Sequence, residues 1–205
     1  MIIVVMGVSG SGKTTIGTML ADAIECSFLE GDSLHSKENI EKMLQGIPLT
    51  DSDRAPWLAA IRAHILKYRK RRENLVVACS ALKQRYREFL AEGIPINWIY
   101  LKGSAALIRS RMTHRPRHFM KADMLASQFD ALEQPSDTIT VDVSPPPSTI
   151  VAEILKQLSK PQSSLPAAAQ DVKERVRAGE VVRDVAGVDH HENFAPDNAG
   201  ERGNE

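Results

Sequence analysis

The chain opens with an apolar run that stops at a glycine-rich loop and resumes as a helix, and this feature constrains the fold most. Met1 to Met6 is continuous and rich in Ile and Val, which is typical of a strand buried on both faces of a parallel sheet. The loop matches G-x-x-x-x-G-K-[ST], in which backbone N–H groups surround nucleotide phosphates. The predicted nucleotide-contacting residues are Gly7, Val8, Ser9, Gly10, Ser11, Gly12, Lys13, Thr14 and Thr15.

Two side chains in this loop carry specific phosphate chemistry. Lys13 adds positive charge for the outer phosphates, and the Thr14 hydroxyl is placed to bind Mg²⁺ where the helix dipole favours anions. Ile16, Leu20 and Ala23 recur at helical spacing after the loop. A chance match to the loop pattern is expected about once in a hundred chains of this length. The sequence therefore predicts a site for ATP phosphates and Mg²⁺.

Composition narrows the class of protein. The 205 residues with an apolar fraction of 42% suffice for one sizeable domain. Lys and Arg balance Asp and Glu at 26 each, so net charge gives no reason to expect a nucleic-acid or membrane partner. Cys26 and Cys79 are far apart and beside apolar residues, which indicates thiols of a cytoplasmic protein. No apolar run approaches the roughly 18 to 20 residues that span a bilayer.

Strand and helix patterns alternate along most of the chain, which predicts an α/β fold with a parallel sheet covered on both faces. A helix is expected to start at Asp51 to Asp53, with Pro56 in its first turn. We predict one domain over residues 1–160 and a mobile tail over residues 161–205, which are poor in large apolar side chains. The five predicted strands are residues 1–6, 27–30, 75–79, 96–101 and 138–143.

Ligands of such sheets bind at the carboxyl ends of the strands, so the residues that follow each strand are candidates for chemistry. Asp32 follows the second strand and is the candidate to orient an acceptor hydroxyl and take its proton. His35 lies beside it in sequence. A basic cluster after the fourth strand suits a helical lid that brings positive charge to the transferring phosphoryl. Its members are Arg111, Arg115, Arg117 and His118.

Four blocks of the sequence are distinctive: GVSGSGKTT, GDSLHSKENIEKMLQGIPLTDSDRAPWL, CSALKQRYREFL and YLKGSAALIRSRMTHRPRHFMKADMLASQFDALEQP. Together they resemble the gluconokinases, P-loop kinases that phosphorylate D-gluconate with ATP. The resemblance covers about residues 3–158. It implies a three-layer P-loop kinase fold similar to that of shikimate kinase, with a five-stranded parallel sheet and a helical lid. The tail after Lys160 has no counterpart in the compact members of that family.

The resemblance implies transfer of the ATP γ-phosphate to the 6-hydroxyl of gluconate in the presence of Mg²⁺. It makes Lys13, Asp32 and Arg115 the catalytic residues, with Arg111 a nucleotide-binding residue of the lid. A homodimer is also expected by resemblance. The predicted acceptor-binding residues are Asp32, His35, Arg54, Lys83 and Arg87, where a carboxylate and several hydroxyls need charged donors. His118 and Gln128 match family positions without an assigned role.

Two alternatives stay open from the residues alone. Another small-molecule kinase of the same fold would act on shikimate, a different sugar acid or a nucleotide. A nucleotide-gated binding protein without turnover would lack the acceptor-side Asp or the lid arginines, and this sequence carries both.

Overall fold

The computed structural model describes residues 1–113 and 123–159. The predicted lid residues Arg115, Arg117 and His118 lie outside these ranges, as does the predicted tail over residues 161–205. The strands are β1 (Ile2–Met6), β2 (Ser27–Glu30), β3 (Leu75–Ala78), β4 (Ile96–Lys102) and β5 (Ile139–Asp142). The α-helices are α1 (Lys13–Ala23), α2 (Lys37–Gln45), α3 (Asp51–Arg71), α4 (Gln84–Ala91), α5 (Ala105–Thr113), α6 (Asp123–Asp130) and α7 (Pro147–Leu158).

The five strands form one parallel sheet in the order β2-β3-β1-β4-β5. The central strand β1 pairs with β3 on one side and β4 on the other, so that Val4 lies opposite both Val77 and Trp98. All five residues of β1 are buried. This confirms the sheet predicted from the uninterrupted apolar run at the start of the chain.

Residues of β1 alternate between two cores, one on each face of the sheet. Ile3 and Val5 pack with buried residues of α1, α5 and α7. Ile2, Val4 and Met6 pack with buried residues of α3 and α4. Because successive side chains of a strand point to opposite faces, one short apolar segment supports both layers of helices. The predicted three-layer α/β architecture is therefore confirmed.

Two local details go beyond what the strand and helix patterns predicted. Directly after β2, Gly31–Leu34 forms a 3₁₀ helix, with the Glu30 side chain accepting a hydrogen bond from the Asp32 N–H. Helix α3 is capped by Thr50, which forms a reciprocal capping box with Asp53. The helix therefore begins at Asp51, within the expected start, but Pro56 lies in its second turn and not in its first.

Candidate functional site

The sheet order places a crevice between the carboxyl ends of β1 and β3. These neighbouring strands are followed by α1 and α4, which pack on opposite faces of the sheet. Loops that depart to opposite faces open a binding crevice in sheets of this kind. The Gly7 N–H donates to the Ser80 carbonyl across it at 3.4 Å. The residues that line this crevice come from the glycine-rich loop and from the ends of β2 and β3.

The loop over residues 7–14 has the conformation that phosphate binding requires. Gly10 and Gly12 adopt positive φ values of 79° and 98°, which side chains rarely tolerate. Lys13 is buried, and its Nζ donates to the Val8 carbonyl at 3.1 Å, so the ammonium lies within the curl of the loop. The buried Ser11 hydroxyl has no hydrogen-bond partner among the described residues. An orphaned donor in this loop suits a phosphate oxygen.

Thr14 lies at the start of α1 and contacts the end of β2. Its Oγ1 donates to Glu30 Oε2 at 2.6 Å. Glu30 therefore lies next to the position predicted to hold Mg²⁺ and, through the Asp32 N–H, next to the candidate base. Sequence reasoning missed Glu30, although an acidic residue at the carboxyl end of a strand was a usable signal. Oxygen donors of this kind are those that Mg²⁺ prefers.

A small polar cavity of about 50 Å³ lies beside the loop. It brings together five predicted site residues from three separate parts of the chain: Ser9, Lys13, Asp32, His35 and Arg54. Arg54 is held by an Nη1 hydrogen bond to the Leu49 carbonyl at 2.6 Å. The other lining residues are Met43, Leu49, Trp57, Ser80 and Gln128. We refer to this space as the acceptor cavity.

His35 lies flat against the indole of Trp57 in the wall of the acceptor cavity. The ring centroids are 4.4 Å apart and the planes differ by 11°. Burial lowers the pKa of His35, and the nearby Arg54 charge lowers it further, while Asp32 acts in the opposite direction. The imidazole is therefore biased towards its neutral form, which has one N–H donor and one acceptor nitrogen.

Lys83 and Arg87 do not line the acceptor cavity as the structure describes it. Lys83 precedes α4 and forms an ion pair with Asp51 at 3.0 Å. The Arg87 guanidinium donates to the carbonyls of Ala81 and Leu82, both at 3.0 Å, and burial lowers its pKa. Their predicted contacts with the acceptor stay predictions.

A second cavity of about 470 Å³ lies against other residues of the glycine-rich loop. Gly12, Thr15 and Arg111 line it together with Pro145 and Pro147 at the start of α7. Arg111 Nη2 donates to the Val143 carbonyl at 2.6 Å, which holds the guanidinium at the cavity wall. A flat guanidinium beside a space of this size suits a nucleobase. The two cavities are therefore lined by different residues of one phosphate-binding loop.

Gln128 of α6 connects the glycine-rich loop to the part of the chain that follows the predicted lid. Its Oε1 accepts a hydrogen bond from the Ser9 N–H at 2.6 Å. Just after this helix, the Glu133 N–H donates a hydrogen bond to the Leu82 carbonyl at 2.9 Å. Gln128, to which the sequence assigned no role, thus contacts the loop at the edge of the acceptor cavity.

Known proteins are similar to this chain over most of its length. A family model described as an AAA domain matches residues 2–137. The thermoresistant gluconokinase of Escherichia coli strain K12 is 42% identical over 164 residues, which cover 78% of this chain and 94% of that protein. A solved gluconokinase from Sinorhizobium meliloti 1021 is 44% identical, with a TM-score of 0.70, and the match covers 84% of this chain and 95% of that one. The chain belongs to the gluconokinase family.

Membership of the gluconokinase family confirms the resemblance drawn from the four sequence blocks. Shikimate kinase from Aquifex aeolicus shares the fold, with a TM-score of 0.53 at 19% identity. Within residues 1–113 and 123–159, no group of three or more His, Cys, Asp or Glu side chains could hold a metal ion. None of the helices that the structure describes is long and apolar enough to cross a membrane.

Proposed function

We propose that this chain transfers the γ-phosphate of ATP to the 6-hydroxyl of D-gluconate, giving 6-phosphogluconate and ADP. One observation carries the proposal: Lys13 of the phosphate-binding loop and Asp32 line the same small cavity, with Arg54 and His35 beside them. A phosphoryl donor on the loop and a polyhydroxy acid in the cavity would meet there. Relatives named gluconokinases, at about 40% identity over most of the chain, support this substrate.

Asp32 orients the acceptor hydroxyl and takes its proton as the new bond forms. That bond joins the hydroxyl oxygen to the γ-phosphorus, while the bond from the γ-phosphorus to the β,γ-bridging oxygen breaks. Lys13 stabilises negative charge on the phosphoryl oxygens. Arg54 pairs with the gluconate carboxylate, because a guanidinium binds a carboxylate through two hydrogen bonds. His35 hydrogen-bonds an acceptor hydroxyl.

Mg²⁺ fits the same loop. Thr14 would hold it through Oγ1, with Glu30 close enough to orient that hydroxyl or a metal-bound water. When bound, the ion would neutralise the negative charge that develops on the phosphates as the γ-phosphoryl group leaves ADP. Since the described side chains form no complete metal-binding group, the nucleotide phosphates and water would supply most of its ligands.

We propose further roles for the remaining predicted site residues. Arg115 supplies positive charge to the transferring phosphoryl, and Arg111 contacts the nucleobase from its place in the second cavity. Lys83 and Arg87 are proposed to bind the gluconate end. We also propose a homodimer, by analogy with the family, and a cytoplasmic location, which the two unpaired cysteines support.

The test is a coupled assay of ADP release by the full chain with Mg-ATP and a panel of gluconate, shikimate, glucose, glycerate and AMP. We expect turnover confined to gluconate, with a product phosphorylated at carbon 6 by NMR. Turnover with shikimate or another acceptor alone would show that the acceptor cavity has been misinterpreted. Nucleotide binding without any turnover would favour the binding-protein alternative.

A further inference from the structure

Trp57 of α3 contacts both ends of the short segment that carries Asp32. Its Nε1–H donates to the Gly31 carbonyl at 2.7 Å, and its ring stacks on His35. Trp57 itself is 2% exposed, in the core between α3 and the sheet. The residue before the candidate base and the residue three positions after it are therefore both fixed by one buried side chain.

The first of these contacts fixes the backbone just before Asp32. Gly31 is buried against β3, where an added Cβ would come within 2.4 Å of the Ala78 carbonyl. The segment is thus pressed onto the sheet on one side and hydrogen-bonded to Trp57 through the Gly31 carbonyl. Because Asp32 is the next residue, a shift of the Gly31 carbonyl would move its carboxylate relative to the phosphate-binding loop.

The second contact fixes the plane of His35. His35 Nδ1 is buried and has no hydrogen-bond partner among the described residues. With one face of the ring against Trp57, the edge of the imidazole is the part left to hydrogen-bond a ligand in the acceptor cavity. A rigid ring edge selects a hydroxyl by direction as well as by distance.

We propose that Trp57 is a positioning residue of the acceptor site, which holds Asp32 and His35 in a fixed arrangement that selects a polyhydroxy acid. The inference rests on the proposed function, because it deepens the account of the same cavity. Trp57 does not line the second cavity, where the nucleobase is proposed to bind. Its influence should therefore fall on the acceptor and not on ATP.

Steady-state kinetics of two substitutions test this selectivity. Trp57→Phe keeps an aromatic face for His35 but removes the donor to Gly31, whereas Trp57→Leu removes both contacts. We expect kcat/KM for gluconate to fall about tenfold in Trp57→Phe and further in Trp57→Leu. KM for ATP should stay within about twofold of the parent value. Trp98→Phe, which alters the only other tryptophan, is the matched control and should leave both values unchanged.

Fluorescence gives a second readout that needs no turnover. In Trp98→Phe, Trp57 is the sole tryptophan and its emission reports the contact with His35. Gluconate alone should change that emission in a saturable way, and the non-hydrolysable ATP analogue alone should leave it unchanged. This measurement uses a variant with Trp57 intact, so it stands even where Trp57→Leu fails to fold.

The outcomes separate this inference from the proposed function. Turnover of gluconate with an unchanged kcat/KM in Trp57→Phe would overturn the positioning role and leave the function standing. A KM for ATP that rises as much as the KM for gluconate would show a purely structural role. Absence of gluconate turnover in the parent protein would instead overturn the proposed function.

Discussion

The phosphate-binding loop and the acceptor cavity are built in opposite ways, although they share Ser9 and Lys13. The loop is one continuous stretch, whose shape depends on positive-φ glycines and on bonds such as that from Lys13 to Val8. The acceptor cavity is assembled from residues far apart in sequence. His35 meets Trp57 across 22 positions, and the Ser9 N–H meets Gln128 across 119.

This difference explains which half of the site can vary. Phosphate binding relies mainly on backbone N–H groups, which most side-chain substitutions leave in place. Acceptor binding relies on side chains whose positions depend on the packing of α3 and α6 against the sheet. We therefore expect only substitutions that displace the loop backbone or remove the Lys13 ammonium to stop the reaction for every acceptor, whereas substitutions around the cavity should change which acceptor is used.

The largest effect is expected for Lys13→Met. The substitution keeps much of the buried volume but removes the ammonium proposed to stabilise the transferring phosphoryl. Turnover should fall about a thousandfold or more with gluconate, because removing one such stabilising donor has effects of this order. Single-turnover rates with saturating ATP measure it. Lys156→Met on the exposed side of α7 is the control, and a comparable loss there would indicate a nonspecific effect.

Asp32→Asn should have the next largest effect. The amide keeps the shape of the side chain but cannot accept the hydroxyl proton, so kcat should fall about a hundredfold or more. Nucleotide affinity, measured by calorimetry, should stay largely unchanged because Asp32 lies on the acceptor side. Asp22→Asn, at an exposed position on α1, is the matched control. Unchanged turnover in Asp32→Asn would remove Asp32 from the mechanism.

The same contrast sets how much of the molecule the sequence could predict. The loop, its flanking strand and helix, and the order of elements follow from local patterns: apolar runs, helical spacing and glycine positions. Asp32 could be predicted as a site residue because it closely follows β2, and ligands of parallel sheets bind at the carboxyl ends of the strands. Local pattern therefore sufficed wherever function depended on consecutive residues.

Residues that meet only through tertiary packing could not be found in this way. Nothing in the helical pattern around Trp57 shows that its indole reaches Gly31. An aromatic residue in a helix usually indicates only that the side chain is buried in the core. The pairing of Lys83 with Asp51 likewise depends on how α3 and α4 pack. A basic residue after a strand looks the same in sequence whether it binds a ligand or a neighbouring carboxylate.

Gln128→Met probes the contact that joins the two halves of the site. Methionine has a similar length but its thioether sulfur is only a weak acceptor, so the Ser9 N–H loses its strong partner and the edge of the loop loosens. We expect kcat to fall about tenfold, the cost of leaving one partly buried N–H unsatisfied. Gln157→Met in α7 is the control, since Gln157 bonds only locally to Glu153 among the contacts described. A kcat equal to that of the control would show that the Ser9 contact is dispensable.

The smallest effect is expected where α2 and α3 join, away from the reacting atoms. Asp53 accepts hydrogen bonds from Lys42 Nζ at 2.7 Å and from the Thr50 N–H at 2.9 Å. These contacts, with Lys42 the largest cause, lower the pKa of Asp53 to about 2. Since this pKa lies below that of the unfolded chain, the ionised carboxylate stabilises the fold above about pH 4. That stabilisation is lost as the pH falls through about 2.

Asp53→Asn should therefore lower Tm slightly near neutral pH and leave kcat unchanged. Because the parent loses the same contribution on protonation, the difference in Tm between parent and variant should shrink as the pH falls from 5 towards 2. Circular dichroism melts at several pH values measure it, with Lys42→Met as the matched removal of the partner. A difference that does not depend on pH would show that the Asp53 charge contributes nothing. A fall in kcat would instead show that the acceptor half of the site depends on how α2 is held to α3.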